Sequence, residues 1–320
     1  MAVGGEQMEA WDLTQWQDRR AQTLESMQLV MGPLPDRSDL ESLDVEVLQT
    51  VRVDGIERRR ISYLAEQGDR VPAYLLIPEG LVNPAPAMLC LHQTTAIGKN
   101  EPAGLGGKPD LHYGLELAKR DYVTLIPDYP GFGDNEFDPY THGYASASMK
   151  GIWNHMRAVD LLEELPEVDG DRIGCIGHSL GGHNTLFVAA FDERLQVMVS
   201  SCGFNAFSKY MGGDLVTWSS KYYMPRVAER YGNDPALMPW DFSDVVAALA
   251  PRALFVNAPL HDNNFEVSGV RDCVESAMPA YQAQGAGDRL VATYPDTGHD
   301  FPASVRESAY SFIDAVLRGE

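Results

Sequence analysis

Arg172-Ile173-Gly174-Cys175-Ile176-Gly177-His178-Ser179-Leu180-Gly181-Gly182 is the stretch whose reading decides the fold. A short β-branched run leads into Gly-x-Ser-x-Gly, and the residues from Leu180 to Phe191 read as a helix. The spacing predicts a strand, a strained turn and a helix, with Ser179 exposed at the turn. Side chains at the positions flanking such a turn would collide with neighbouring backbone, and Gly177 and Gly181 remove those collisions. The helix N-terminus and the Leu180 backbone N–H then favour negative charge developing beside the serine.

Working outward, strands and helices alternate. Strands are predicted at Ala87–Leu91, Val123–Pro127, Arg172–Ile176, Gln196–Ser200, Ala253–Asn257 and Leu290–Tyr294. Most are short apolar runs, as expected for strands covered on both faces. Between them lie helical patterns at Leu111–Arg120, Ser146–Leu165, Leu180–Phe191, Val270–Gln284 and Pro302–Leu317. Alternation of this kind implies βαβ units and a mainly parallel sheet with helices on both sides. Ahead of it, Val45–Val51, Arg59–Ala65 and Val71–Ile77 read as an antiparallel opening, with turns at Asp54-Gly55 and Gly68-Asp69. Met8–Met31 reads as a helix ended by Gly32-Pro33-Leu34-Pro35, packing its aromatic residues on the main body. The expected organisation is an N-terminal helical extension over 1–44 and an α/β domain over 45–320. Residues 203–250 form a helical lid or cap insertion in that domain.

The chain has 320 residues, 44% hydrophobic and 22% charged, and a formal net charge of −21. That balance argues against nucleic acid and anionic membrane surfaces as partners, since both need a basic face. No run of about eighteen apolar residues suggests a membrane span. The first residues lack a secretory pattern, so the expected location is cytoplasmic. Cys90, Cys175, Cys202 and Cys273 lack metal-ligand spacing and read as buried free thiols.

A serine hydroxyl needs a base, and the base needs a carboxylate to hold its tautomer. Among eight histidines, His299 stands in the turn Asp296-Thr297-Gly298-His299 after the last strand. His112, His142 and His155 lie in or near helical stretches and read as structural. Asp262 follows the strand Ala253–Asn257 in the loop Ala258-Pro259-Leu260-His261-Asp262. It also reads as a turn aspartate beside Asn263 and Asn264, and Asp300 and Glu266 are the reserves.

The chain resembles the α/β-hydrolase superfamily, and within it serine esterases similar to dienelactone hydrolases and acetyl xylan esterases. The resemblance runs from Val45 to the C-terminus. It rests on Leu91-His92-Gln93-Thr94, Pro127-Asp128-Tyr129-Pro130-Gly131-Phe132-Gly133, Gly177-His178-Ser179-Leu180-Gly181-Gly182 and Gly298-His299-Asp300-Phe301. It implies a triad in the chain order Ser179, Asp262, His299. It places a second oxyanion donor on the loop after Ala87–Leu91, Thr94 first and Gln93 second, with His92 structural. Dienelactone hydrolases carry a cysteine nucleophile where this chain has Ser179, a departure that favours ordinary ester hydrolysis.

The expected activity is hydrolysis of short-chain acyl esters through an acyl-enzyme, with acetylated carbohydrate among the substrates. Such a mechanism calls for no metal or organic cofactor. Trp218, Tyr222, Tyr223 and Trp240 in the insertion are candidates for stacking on a sugar or aryl group, with hydrophobic packing of the lid as the alternative. An acyltransferase or a peptidase with the same triad, and a non-catalytic binding protein on this fold, are the competing functions. A homo-oligomer is compatible with the sequence.

Overall fold

A computed structural model describes residues 13–319 of the chain. Nine strands form one sheet in the order β1-β2-β3-β5-β4-β6-β7-β8-β9. The first three, β1 (Glu46–Val53), β2 (Ile56–Glu66) and β3 (Asp69–Pro78), pair antiparallel, and β3 pairs antiparallel with β5 (Val123–Pro127). From β5 onward the sheet is parallel, through β4 (Ala85–Leu91), β6 (Val168–His178), β7 (Leu195–Ser201), β8 (Ala253–Asn257) and β9 (Leu290–Thr293). The fold expected from the sequence is the one observed, an α/β-hydrolase sheet with an antiparallel opening.

Strands β4, β5 and β8 are buried along their whole length. Alternate residues of these strands and of β6 point into two different cores. Leu89, Leu91 and Cys175 face the larger one, with α1 (Leu13–Met31), α3 (Ala147–Glu164), α4 (Leu180–Phe191), α6 (Phe242–Ala248) and α7 (Val267–Ala283). Met88, Cys90 and Ile176 face the smaller one, with α2 (Tyr113–Ala118) and α8 (Ala303–Leu317). Helices cover both faces because neither side of such strands tolerates water.

Of the helix expected over Met8–Met31, the described residues show Leu13–Met31 as helical, and Met8 to Asp12, including Trp11, lie outside them. It is tied to the domain by side chains. Trp16 Nε1 donates to the Ala247 carbonyl at 3.1 Å, and the Arg20 guanidinium donates to the Ala248 and Ala190 carbonyls at 3.3 and 3.0 Å. Residues 203–250 are less helical than expected. Tight 3-10 turns at Phe207–Gly212, Val216–Ser219 and Pro235–Leu237 separate two short helices, α5 (Arg226–Tyr231) and α6. Gly212, Gly213, Gly232 and Asn233 hold positive φ there, so no long helix can propagate.

Candidate active site

Ser179 sits between the end of β6 and the start of α4 with φ 53° and ψ −114°, a conformation L-residues rarely adopt. Its surroundings impose that conformation. The Ser179 N–H donates to the Ser201 carbonyl on β7 at 2.8 Å, while its own carbonyl accepts the Gly182 and His183 N–H groups at 2.9 and 3.2 Å. A Cβ on Gly177 would overlap the Gly181 carbonyl, and one on Gly181 would overlap the Leu91 carbonyl. Both glycines are therefore sterically required. The Leu180 N–H is the first of α4, with no residue of the helix before it to accept its hydrogen bond.

His299 and Asp262 come from the loops after β9 and β8. The imidazole Nδ1 lies 3.0 and 2.9 Å from the two carboxylate oxygens of Asp262. A carboxylate accepts, so Nδ1 carries a proton and donates it to Asp262. Asp262 Oδ1 also accepts the Asn264 and Phe265 N–H groups at 2.8 and 3.0 Å. Burial works against ionisation of this carboxyl, but the His299 hydrogen bond and charge, helped by those two N–H groups, prevail. They hold it below the usual carboxylate range. Among the described residues no direct hydrogen bond joins Ser179 Oγ to His299.

The reserve carboxylates are placed differently. Glu266 accepts from its neighbour Ser268. Asp300 contributes its main-chain oxygen to Asn257 Nδ2 at 2.9 Å, and its buried Oδ1 meets no partner. His112 and His142 bond to the Gly106 and Asp138 carbonyls within their own loops, and His155 is buried in α3. His92 is a brace: Nδ1 donates to the Gln93 carbonyl at 2.6 Å and Nε2 accepts the Tyr129 N–H at 3.0 Å. Burial pushes its pKa down, consistent with a neutral ring that pins the β4 loop to the β5 loop.

That brace orients Gln93 and Thr94 beside the serine. A cavity of about 200 Å³ is lined by Gln93, Thr94, Ser179, His183, Tyr210 and Thr217, together with Trp218, Tyr223, Asn264 and Phe265. Gln93 Nε2 donates to Glu101 Oε2 at 2.9 Å, and Thr94 Oγ1 lies 3.3 Å from the Tyr223 hydroxyl. Of the four aromatic residues expected to bind substrate, the structure brings Trp218 and Tyr223 to this cavity. Tyr222 instead packs on Phe132, with ring centres 5.1 Å apart, and lines a separate cleft with Pro130 and Gly131. Trp240 is a core residue, 3% exposed and packed on Phe187, Phe207 and Phe242. It does not line the cavity, because α6 buries it against α4. His183, Tyr210, Thr217, Asn264 and Phe265 were not singled out from the sequence. Only His183 carried a signal, standing four residues after Ser179 and hence on the same helix face.

His178, Cys202 and His299 place potential metal-ligand atoms within 4.8 Å of one another. Burial, with Asp262 nearby, pushes the Cys202 thiol well up, and burial with the neighbouring His299 pushes His178 well down. Both are thereby held neutral. Within this set His299 Nδ1 already bonds Asp262 and Cys202 Sγ lies 3.4 Å from the Asp300 carbonyl, so both side chains are engaged within the protein.

The profile of the fungal glucuronyl esterase family matches residues 134–285. The YtaP protein of Bacillus subtilis is 25% identical over 313 residues, covering 93% of this chain and all of that one. The 4-O-methyl-glucuronoyl methylesterase of Hypocrea jecorina is 26% identical over 207 residues, 58% of this chain and 44% of that one. Among solved structures, a glucuronoyl esterase from Solibacter usitatus superimposes with a TM-score of 0.74 at 18% identity, covering 95% of this chain and 94% of that one. A promiscuous CE15 esterase from a marine bacterial metagenome also gives 0.74, at 16% identity over 98% and 96% of the two chains.

Proposed function

Taking the chain as an α/β-hydrolase of the serine carboxylic-ester hydrolase type, we propose that it cleaves esters borne by carbohydrate. Ser179 is the nucleophile of that reading, His299 the base and Asp262 its orienting carboxylate. The carrying observation is the bidentate approach of His299 Nδ1 to Asp262 beside a serine held at positive φ on a cavity wall.

In the first half-reaction Ser179 Oγ adds to the ester carbonyl carbon and its proton passes to His299 Nε2. The carbonyl π pair moves onto oxygen, where the Leu180 N–H and an N–H from Thr94 or Gln93 stabilise it. Collapse breaks the bond to the alcohol oxygen, which leaves with the proton from His299. Water then repeats the sequence on the acyl-serine and regenerates Oγ–H. Each oxyanion donor is worth on the order of 3 kcal/mol of transition-state stabilisation.

The substrate class is supported by the pocket and by the names of the relatives. The cavity is small, and the described residues that line it include no Lys, Arg, Asp or Glu, which suits a neutral ester and a compact group. Trp218 and Tyr223 add aromatic edges of the kind that pack on sugar rings. The test is hydrolysis of a panel of acetylated sugars, uronic acid methyl esters and aryl acetates by wild type and Ser179→Ala. The expected result is turnover on the sugar esters that falls by several orders of magnitude in the alanine variant. Wild-type turnover in that variant would overturn the nucleophile. Activity confined to the aryl acetates would overturn the substrate class.

A further inference from the structure

Three neighbouring strands of the sheet each end on a buried polar side chain. Strand β8 runs Ala253-Leu254-Phe255-Val256-Asn257, and Asn257 is 1% exposed. In the register of the sheet it stands opposite Ser201 of β7, which stands opposite His178 of β6, and both are fully buried. Two residues earlier on each strand, Ile176, Val199 and Phe255 face the smaller core. With a side-chain period of two, His178, Ser201 and Asn257 lie on that same face as one row. Buried polar groups need partners, and here the row partners itself.

Asn257 Nδ2 donates to Ser201 Oγ at 2.8 Å, and Ser201 Oγ lies 2.9 Å from His178 Nδ1. The second Nδ2 hydrogen goes to the main-chain carbonyl of Asp300 at 2.9 Å. A carbonyl can only accept, so the Asn257 amide has one orientation and both its donors are used. The Cys202 thiol approaches the same carbonyl at 3.4 Å, and the next residue, Phe301, is fully buried in the smaller core.

The two ends of this chain of hydrogen bonds adjoin the proposed nucleophile and base. His178 precedes Ser179, and Asp300 follows His299. The His178 ring also packs edge-on against the His299 ring, with centres 4.8 Å apart. Burial, with His299 close by, holds His178 neutral, so it does not compete for the proton His299 is to carry. Asp262 orients the His299 ring through Nδ1, but Ser179 and His299 stand on different strand ends. Their separation needs a tie of its own.

We infer that His178, Ser201 and Asn257 are positioning residues, which hold the His299 loop at the distance from Ser179 that proton transfer requires. The inference rests on the ester-hydrolase reading of Ser179, Asp262 and His299, and adds residues that act only through that triad. A displacement of about 1 Å in such a constellation lowers turnover about a hundredfold. None of the three lines the cavity beside Ser179, so their loss is expected in kcat and not in KM.

The test uses phenyl acetate as the ester and a fluorophosphonate to titrate competent sites, so that kcat is counted per labelled chain. Ser201→Ala and Asn257→Leu are each expected to lower kcat about tenfold to a hundredfold. KM stays within about twofold of wild type, and the labelling rate falls along with kcat. His178→Leu does the same, and His178→Asn, whose amide reaches the Nδ1 position, recovers part of the loss. Adding His178→Leu to Ser201→Ala costs little more than Ser201→Ala alone, because both break one chain. If Ser201→Ala does not fold, Ser201→Cys is read in its place. A kcat per labelled chain equal to wild type in the Ser201 or Asn257 variant overturns the inference and leaves the nucleophile reading standing. So does a loss carried by KM alone. A wild type that neither cleaves phenyl acetate nor takes up the label removes that reading, and the positioning role with it.

Discussion

Two buried aspartates, one on each side of the sheet's centre, show how the same residue type is put to opposite uses. Asp128 follows β5 and is fully enclosed. Its oxygens accept the Lys99 N–H and Nζ at 2.7 and 2.6 Å and the Asp134 N–H at 2.9 Å. Lys99 Nζ also reaches Asp134 at 2.6 Å, and a Cβ on Gly98 or Gly133 would strike the Asp128 carboxylate. Asp262 after β8 meets an imidazole instead, and that imidazole is partly open to solvent at 20%. A carboxylate facing a lysine has a permanent partner charge and holds a loop. A carboxylate facing an imidazole orients a ring that can relay a proton to and from a hydroxyl. The partner and its access to solvent therefore set the role more than burial does.

The sharpest way to break this comparison is at the histidine. His299→Ala is expected to cost on the order of 10⁴-fold or more in turnover, measured on any ester the wild type cleaves, with the unfolding midpoint little changed. Asp262→Asn leaves a neutral hydrogen-bonding group but favours the wrong tautomer. A loss of about 10³–10⁴-fold is expected, read from pre-steady-state acylation. Equal activity of wild type and the asparagine variant would mean that Asp262 orients nothing.

On the other side, Lys99→Met strands the Asp128 charge. A destabilisation of about 3–5 kcal/mol is expected in denaturant unfolding, and the double variant Lys99→Met with Asp128→Leu should recover much of it. A double variant as unstable as the single one would show that the network is not held by charge pairing.

The smallest effect is in pH. The Asp262 carboxyl titrates below its ordinary range when folded, so its contribution to stability is present above about pH 4 and lost as pH falls through the folded value. The stability difference between wild type and Asp262→Asn should therefore narrow below about pH 4. A difference that stays constant down to pH 2 would contradict the assignment.

Much of the architecture was legible because its causes are local. Strands β5 and β8 and helix α4 have the limits expected from the sequence, since apolar runs bounded by turn or glycine residues leave little choice. Strand β6 begins four residues before Arg172, because Val168 pairs with Ala85 across an irregularity in the register. Asp169-Gly170-Asp171 looks like a turn, and only the neighbouring strand makes it an extension.

At the site, Ser179 was legible because the flanking glycines are sterically required. Asp262 admitted two readings, turn former or histidine partner, and the structure gives it both sets of hydrogen bonds at once. Trp240 and Trp218 could not be told apart, since an aromatic residue in a loop-rich insertion carries no mark of whether a cavity or a core receives it.

The measurement that bears most directly on the central claim is covalent labelling with a fluorophosphonate, followed by intact-protein and peptide mass spectrometry. The account predicts one adduct per chain, located on the Ser179 peptide, with ester hydrolysis lost in proportion to labelling and no adduct in Ser179→Ala. Stoichiometric labelling of another residue, or full hydrolysis by protein fully labelled at Ser179, would contradict it.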